Sequence, residues 1–182
     1  MSARTITIHP DIVTVGDPSL KLTCHKVENL SLVGEHCQKM VSLLRELKGA
    51  GLAAPQIGLL ERIIVVEVRK TELFPDRPES PLYVMINPEI VEASLEVEDG
   101  WEGCFSVPAM VGLVPRSKKI TVKYQSEDGK HHLETFEGYL ARVIQHECDH
   151  LDGQLYLEKM KDIAQLSTVE NYRIYQHQSS LR

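Results

Sequence analysis

Apolar positions along the chain switch between two periods, and each switch marks an element. Val33, Cys37, Met40, Val41, Leu44 and Leu47 recur at steps of three and four, the spacing of one helical face. Asn29 or Ser31 can cap that helix, and Gly49 and Gly51 end it. Ile63 to Val68 is nearly unbroken and mostly β-branched, which predicts a strand. Tyr83 to Val91 predicts another, interrupted at Asn87-Pro88. Ile120 to Tyr124 alternates as a half-buried strand. Ser126 to Lys130 carries a hairpin-turn signal, and His131 to Phe136 returns antiparallel with His131 and His132 solvated on the hairpin. Leu140, Val143 and Ile144 restore a helical pattern with an apolar face. After Asp152-Gly153 the pattern predicts a short strand-like piece, then a C-terminal helix with Ile163, Leu166 and Val169 inward, fraying from about Gln176. Upstream, Ile12 to Val15 reads as an extended piece closed by Gly16-Asp17-Pro18, and Glu72 to Pro81, with three prolines, as an exposed loop.

At 182 residues the chain suits one domain with a core and is short for two; no linker, repeat or low-complexity stretch divides it. A net charge of −6 with no basic block argues against direct nucleic-acid binding. No run approaches the roughly 18 apolar residues of a membrane span. Met1 to Ile6 lacks an apolar signal core, so an intracellular, cytoplasmic protein is expected. Cys24, Cys37, Cys104 and Cys148 show no paired spacing of a disulfide scaffold, which leaves thiolates free for metal work.

The chemistry concentrates in Gln145-His146-Glu147-Cys148-Asp149-His150. On a helix, His146 and His150 fall on one face roughly 6 Å apart, close enough to grip one cation. Glu147 projects beside such a cation, where a general base acting on a metal-held water belongs. The same pattern also arises by accident, and two histidines can equally form a surface pair or a hydrogen-bonded core pair. Val143 lies one turn before His146 and turns it inward, where it needs a partner. A catalytic metal usually takes three protein ligands. Cys104, between Gly103 and the Pro108-bounded segment, is the best third candidate, although a lone cysteine is also ordinary core filling. The small-residue run Gly49 to Gly58 lets a backbone approach closely. It lacks the ending of a phosphate loop, and its single amide, Gln56, calls for a specific partner.

Three separated motifs, Gly49-Ala50-Gly51-Leu52-Ala53-Ala54-Pro55-Gln56, Glu102-Gly103-Cys104-Phe105-Ser106 and Gln145 to His150, together resemble the peptide deformylases in order and spacing. The likeness extends to Gly16-Asp17-Pro18 and Val114-Pro115-Arg116, about residues 10 to 160. It implies an α+β fold of mainly antiparallel strands around the helix carrying the His-Glu-x-x-His motif, with residues 1–182 forming one catalytic domain. The activity implied is metal-dependent hydrolysis of the formyl group from N-terminal formylmethionine of nascent polypeptides, releasing formate. The metal ligands implied are Cys104, His146 and His150. The ion implied is one Fe2+, with Zn2+, Ni2+ or Co2+ able to substitute. Glu147 matches the acid/base, and the Gln56 amide and the Phe105 backbone N–H match the oxyanion donors. Gly51, Ala50, Gly103 and Val143 match substrate-contacting positions. Partners implied are the N-formylmethionyl peptide and a transient ribosome association, with neither nucleic acid nor membrane contacted directly.

Ala50 stands where a bulkier aliphatic is common in that family, Phe105 where Leu is usual, and Val111 where many members carry Arg. These differences bear on pocket shape rather than on the chemistry. Arg142 reads as a pocket-wall or packing residue, and Arg116 is expected to pair with Glu102 and fix the Cys104 loop. Two rival readings remain in view. A zinc peptidase would need Glu158 or Glu170 as third ligand. A structural site would need Cys148, which the helix turns to another face.

Overall fold

The computed structural model describes residues 8–70 and 77–176. Helix α1, Val33–Glu46, follows the apolar periodicity, with Val33, Cys37, Met40, Leu43 and Leu44 buried. Asn29 caps the short 3-10 turn Leu30–Leu32 just before it, its side chain accepting from Ser31 N. Strands β1 (Gly51–Ala53), β2 (Ile63–Val66), β3 (Tyr83–Ala93), β6 (Lys119–Gln125) and β7 (His131–Glu137) form an antiparallel sheet in the order β1-β2-β3-β6-β7. Period-two alternation gives that sheet two buried faces. Leu52, Ile63 and Val65 face α1, while Ala53, Ile64 and Val66 face helix α2, Gly138–Leu151. Strands β4 (Val97–Cys104), β5 (Val107–Ser117) and β8 (Leu166–Thr168) make a second antiparallel sheet, order β4-β5-β8.

Helix α2 is therefore the element both sheets share. Ala141, Ile144, Cys148 and Leu151 pack on the larger sheet, while Arg142, His146 and Asp149 reach β4 and β5. Nine of its fourteen residues are buried, four of them charged or imidazole-bearing. Such a helix is stable only if its polar side chains find partners inside the protein.

Several expectations change. The predicted break at Asn87-Pro88 is a bulge within one continuous strand, with Asn87 at φ 53° and its side chain bonded to Val27 N and O. His131 is exposed, but His132 is half-buried, stacks on Tyr124 at 4.9 Å and bonds Ser126. The strand-like piece after Gly153 is a 3-10 turn, Tyr156–Glu158. No continuous helix covers 163–169: Ile163 is 70 % exposed, and Leu166–Thr168 instead pairs with Met110–Gly112 of β5. The open edge of β5 satisfies that backbone with cross-strand bonds, and three apolar residues spaced by three could not outbid them. Ile12 to Val15 joins neither sheet. Val13 N donates to Gln56 O (2.8 Å) and Val15 N to Ser106 O (2.7 Å). Of the Glu72 to Pro81 loop, Pro78, Glu79 and Pro81 are exposed and residues 71–76 lie outside the described part, as does the tail beyond Gln176. Among the described residues, no helix is long and apolar enough to cross a membrane.

Candidate metal centre

Cys104 closes β4 at the turn into β5, and that hairpin folds against α2. The turn brings the thiol to the two imidazoles: the ligand atoms of Cys104, His146 and His150 all lie within 4.8 Å of one another. Cys104 Sγ is 3.2 Å from His150 Nε2. A tetrahedral ion bonded at usual lengths to one sulfur and one imidazole holds them about 3.5 Å apart, so the donor set fits a borderline-soft divalent cation. The imidazoles cross at 71° with centroids 5.1 Å apart.

One carboxylate orients this cluster. Glu102 Oε2 lies 2.9 Å from His146 Nδ1, which turns Nε2 of that ring toward Cys104 and His150. Arg116 donates to both Glu102 oxygens (2.9 and 3.0 Å) and to Asp149 Oδ2 (2.6 Å), so the expected Arg116–Glu102 pair is present. Arg142 also donates to Glu102 (2.9 Å) and to the carbonyls of Val114, Glu98 and Gly100, tying α2 to β4 and β5. Burial alone would raise the Glu102 carboxyl, but its hydrogen bonds from His146 and Arg116 prevail and hold it at about 2. Two guanidinium groups and two carboxylates balance one another here.

Removing one member of such a buried network strands the rest. Arg116→Met should therefore weaken metal retention about 10- to 100-fold, measured by chelator competition. Undiminished affinity would show that this network does not position the ligands.

Gln56 lies in the 3-10 turn Ala54–Ile57, fully buried. Its Oε1 accepts from Ala53 N (2.8 Å), so its Nε2 faces the cluster, 3.3 Å from both Cys104 Sγ and Ser106 Oγ. Glu147 is buried with Oε2 unpartnered. Burial pushes its carboxyl up to about 7, against the neighbouring His146; a cation in the cluster would draw it down again. Gly51, on β1, faces this carboxylate. A Cβ there would lie 2.4 Å from Glu147 Oε1. Gly51→Ala should displace Glu147 and cut turnover about 100-fold while metal content holds. An alanine variant turning over normally would mean that Glu147 has room to spare.

The remaining candidates lie around these groups. Gly103, beside Cys104, is exposed and pairs with Val111, and Phe105 is half-buried against Gly49. Val143 and Ala50 belong to one apolar cluster, Val143 buried and Ala50 partly so. Among the described residues the rival ligands stay away. Cys148 is core, packed in the same cluster as Ile144 and Leu151. Glu158 pairs with Lys21 and accepts from Leu155 N, and Glu170 lies on the exposed turn Val169–Asn171.

Sequence reading missed that Glu102 also receives His146 and Arg142, that Ser106 accepts from Gln56, and that Tyr156 stacks on His146 with centroids 6.0 Å apart. Asp149, inside the histidine motif, offered a signal as an Arg116 partner; the others join residues too distant in sequence for a local pattern to register.

A family model described as polypeptide deformylase matches residues 9–165. The chain belongs to the peptide deformylase family. It is 41 % identical over 155 residues to a peptide deformylase of Leptospira biflexa, covering 82 % of this chain and 87 % of that one. It is 35 % identical over 164 residues to peptide deformylase 2 of a Nostoc species, covering 89 % and 92 %. A Met-Ala-Ser-bound class I type b peptide deformylase from Acinetobacter baumannii is similar with TM-score 0.78 and 37 % identity, over 86 % of this chain and all of that one. The peptide deformylase of Thermotoga maritima gives TM-score 0.76 and 36 % identity, over 83 % and 97 %. The enzyme is thus a metal-dependent hydrolase that removes the N-formyl group from formylmethionine at the start of new polypeptides and releases formate.

Proposed function

We propose that Cys104, His146 and His150 hold one Fe2+, with Zn2+, Ni2+ or Co2+ able to replace it, and that Glu147, Gln56 and the Phe105 N–H carry the reaction around it. The convergence of one thiol and two imidazoles beside an unpartnered buried carboxylate oxygen supports this reading most directly. A divalent ion held there supplies a nucleophile at neutral pH and a Lewis acid for the formyl oxygen.

The rest is done by the chain itself. Glu147 takes the proton of the attacking water and later passes it to the departing amine nitrogen, so the C–N bond breaks without a free amide anion. As the formyl carbon becomes tetrahedral, Gln56 Nε2 and the Phe105 N–H donate to its oxygen; one such donor is worth about 100- to 1000-fold. Ala50 and Val143 line the methionine side chain, and the bare backbones of Gly51 and Gly103 admit the peptide. Residues 1–182 act as one catalytic unit in the cytoplasm, meeting the substrate in transient association with the ribosome and without direct contact to nucleic acid.

Cobalt substitution tests the ligand set. The reading requires sulfur-to-cobalt absorption of one thiolate that disappears in Cys104→Ser; a spectrum of two thiolates would refute it. Parallel loading with ferrous iron and zinc under anaerobic conditions tests the ion, and faster turnover with zinc would reverse the assignment.

A further inference from the structure

Some glycines are required by their own dihedral angles, others by what lies on them. Gly49 is of the second kind. Its φ is outside the left-handed region, yet a Cβ built on it would lie 2.5 Å from Phe105 Cζ, 2.7 Å from Phe105 Cε2 and 3.0 Å from Leu44 Cδ1. The Cζ end of the Phe105 ring is set against bare backbone just past the end of α1. It joins the apolar cluster of Leu44 and Leu52 there. The neighbouring turn residue is held by other means. Ser106 O accepts from Val15 N (2.7 Å), and Ser106 Oγ accepts from Gln56 Nε2 (3.3 Å). Both residues of the β4–β5 turn are therefore fixed, Ser106 by hydrogen bonds and Phe105 by its ring. A turn released at one of the two could pivot about the other, and the Phe105 N–H would swing with it.

We propose that the Phe105 side chain is a positioning residue for deformylation: seated on Gly49, it aims its own backbone N–H at the formyl oxygen. The proposal rests on the reading of that N–H as an oxyanion donor. The contact joins the Gly49–Gly51 wall of the site to the Cys104–Ser106 wall, so the gap between them is set by the reach of the Phe105 side chain to a bare glycine.

A double-mutant cycle tests it, read as kcat and KM on formyl-Met-Ala with metal content measured in every variant. Gly49→Ala should lower kcat about tenfold, because a mis-aimed donor loses part of what an absent one loses. Phe105→Leu, too short to press on Gly49, should lower it severalfold. The double variant should come close to Phe105→Leu alone, since the added methyl then meets only the terminal methyl of Leu44, 3.0 Å away, which a small side-chain shift relieves. KM and metal content should stay near wild type throughout. Additive losses, an unaffected Gly49→Ala, or losses that track metal content would each overturn the proposal. If Gly49→Ala does not fold, Phe105→Ala carries the test: reduced kcat at full metal content supports the proposal, and unchanged kcat refutes it.

An ester in place of the Phe105 amide, introduced with the matching α-hydroxy acid, deletes the N–H alone. It should cost about 100-fold in kcat. An ester enzyme with full turnover would remove the donor reading and the proposal together. The expected loss in the ester enzyme beside an additive cycle would remove the proposal only.

Discussion

Glu147→Ala is expected to keep its metal and lose its turnover. Glu147 is no member of the Cys104–His146–His150 cluster, so ion content should stay at one per chain. Formate release from formyl-Met-Ala should fall about 100- to 10,000-fold, the usual contribution of a placed proton carrier. Glu147→Gln, which keeps the volume against Gly51, should fall nearly as far, and that separates proton transfer from packing. Either variant turning over near the wild-type rate would take Glu147 out of the reaction. Loss of metal in both would instead make it a ligand.

Cys104→Ser should do the reverse, emptying the centre first. Two imidazoles a helical turn apart cannot by themselves retain a catalytic ion against a chelator, and a hydroxyl is a far poorer ligand than a thiolate. Metal content after mild chelation should drop well below one per chain, with formate release at background. The fold should persist, because Cys104 is only half-buried and its hairpin is paired along β4, β5 and β8. A Cys104→Ser protein that kept both its metal and its activity would hand the third position to another residue and revive the peptidase reading.

The candidate site was more legible in this chain than the architecture around it. His146, Glu147 and His150 announce themselves because helical spacing puts them on adjoining faces. Gln56 stands out as the one amide in a run of small residues, and Cys104 as a thiol at a glycine-bounded turn. The β4–β5 hairpin that presents Cys104 was not legible. Gly100, Gly103, Gly112, Pro108 and Pro115 break the strand pattern, and the prolines are tolerated because β8 pairs only with Met110–Gly112. The C-terminal segment misled for a related reason. Ile163, Leu166 and Val169 have helical spacing, but three positions say little against a free strand edge nearby.

The Glu102 network marks the same boundary between local and long-range information. Arg116 lies 14 residues from Glu102, on the partner strand of the same hairpin. Arg142 and His146 lie 40 and 44 residues away, on a helix that arrives from the other sheet. Only packing α2 between the two sheets reveals that one carboxylate serves all three. The small-residue run from Gly49 signals a close approach, but not that Phe105 would be what meets Gly49 or Glu147 what meets Gly51.

The most direct measurement is formate release from formyl-Met-Ala by protein titrated with ferrous iron under anaerobic conditions. The account predicts activity rising linearly to one iron per chain and then levelling, with one formate and one free amino terminus formed per peptide consumed. Fully loaded protein that releases no formate, or activity that needs a second ion, would contradict it.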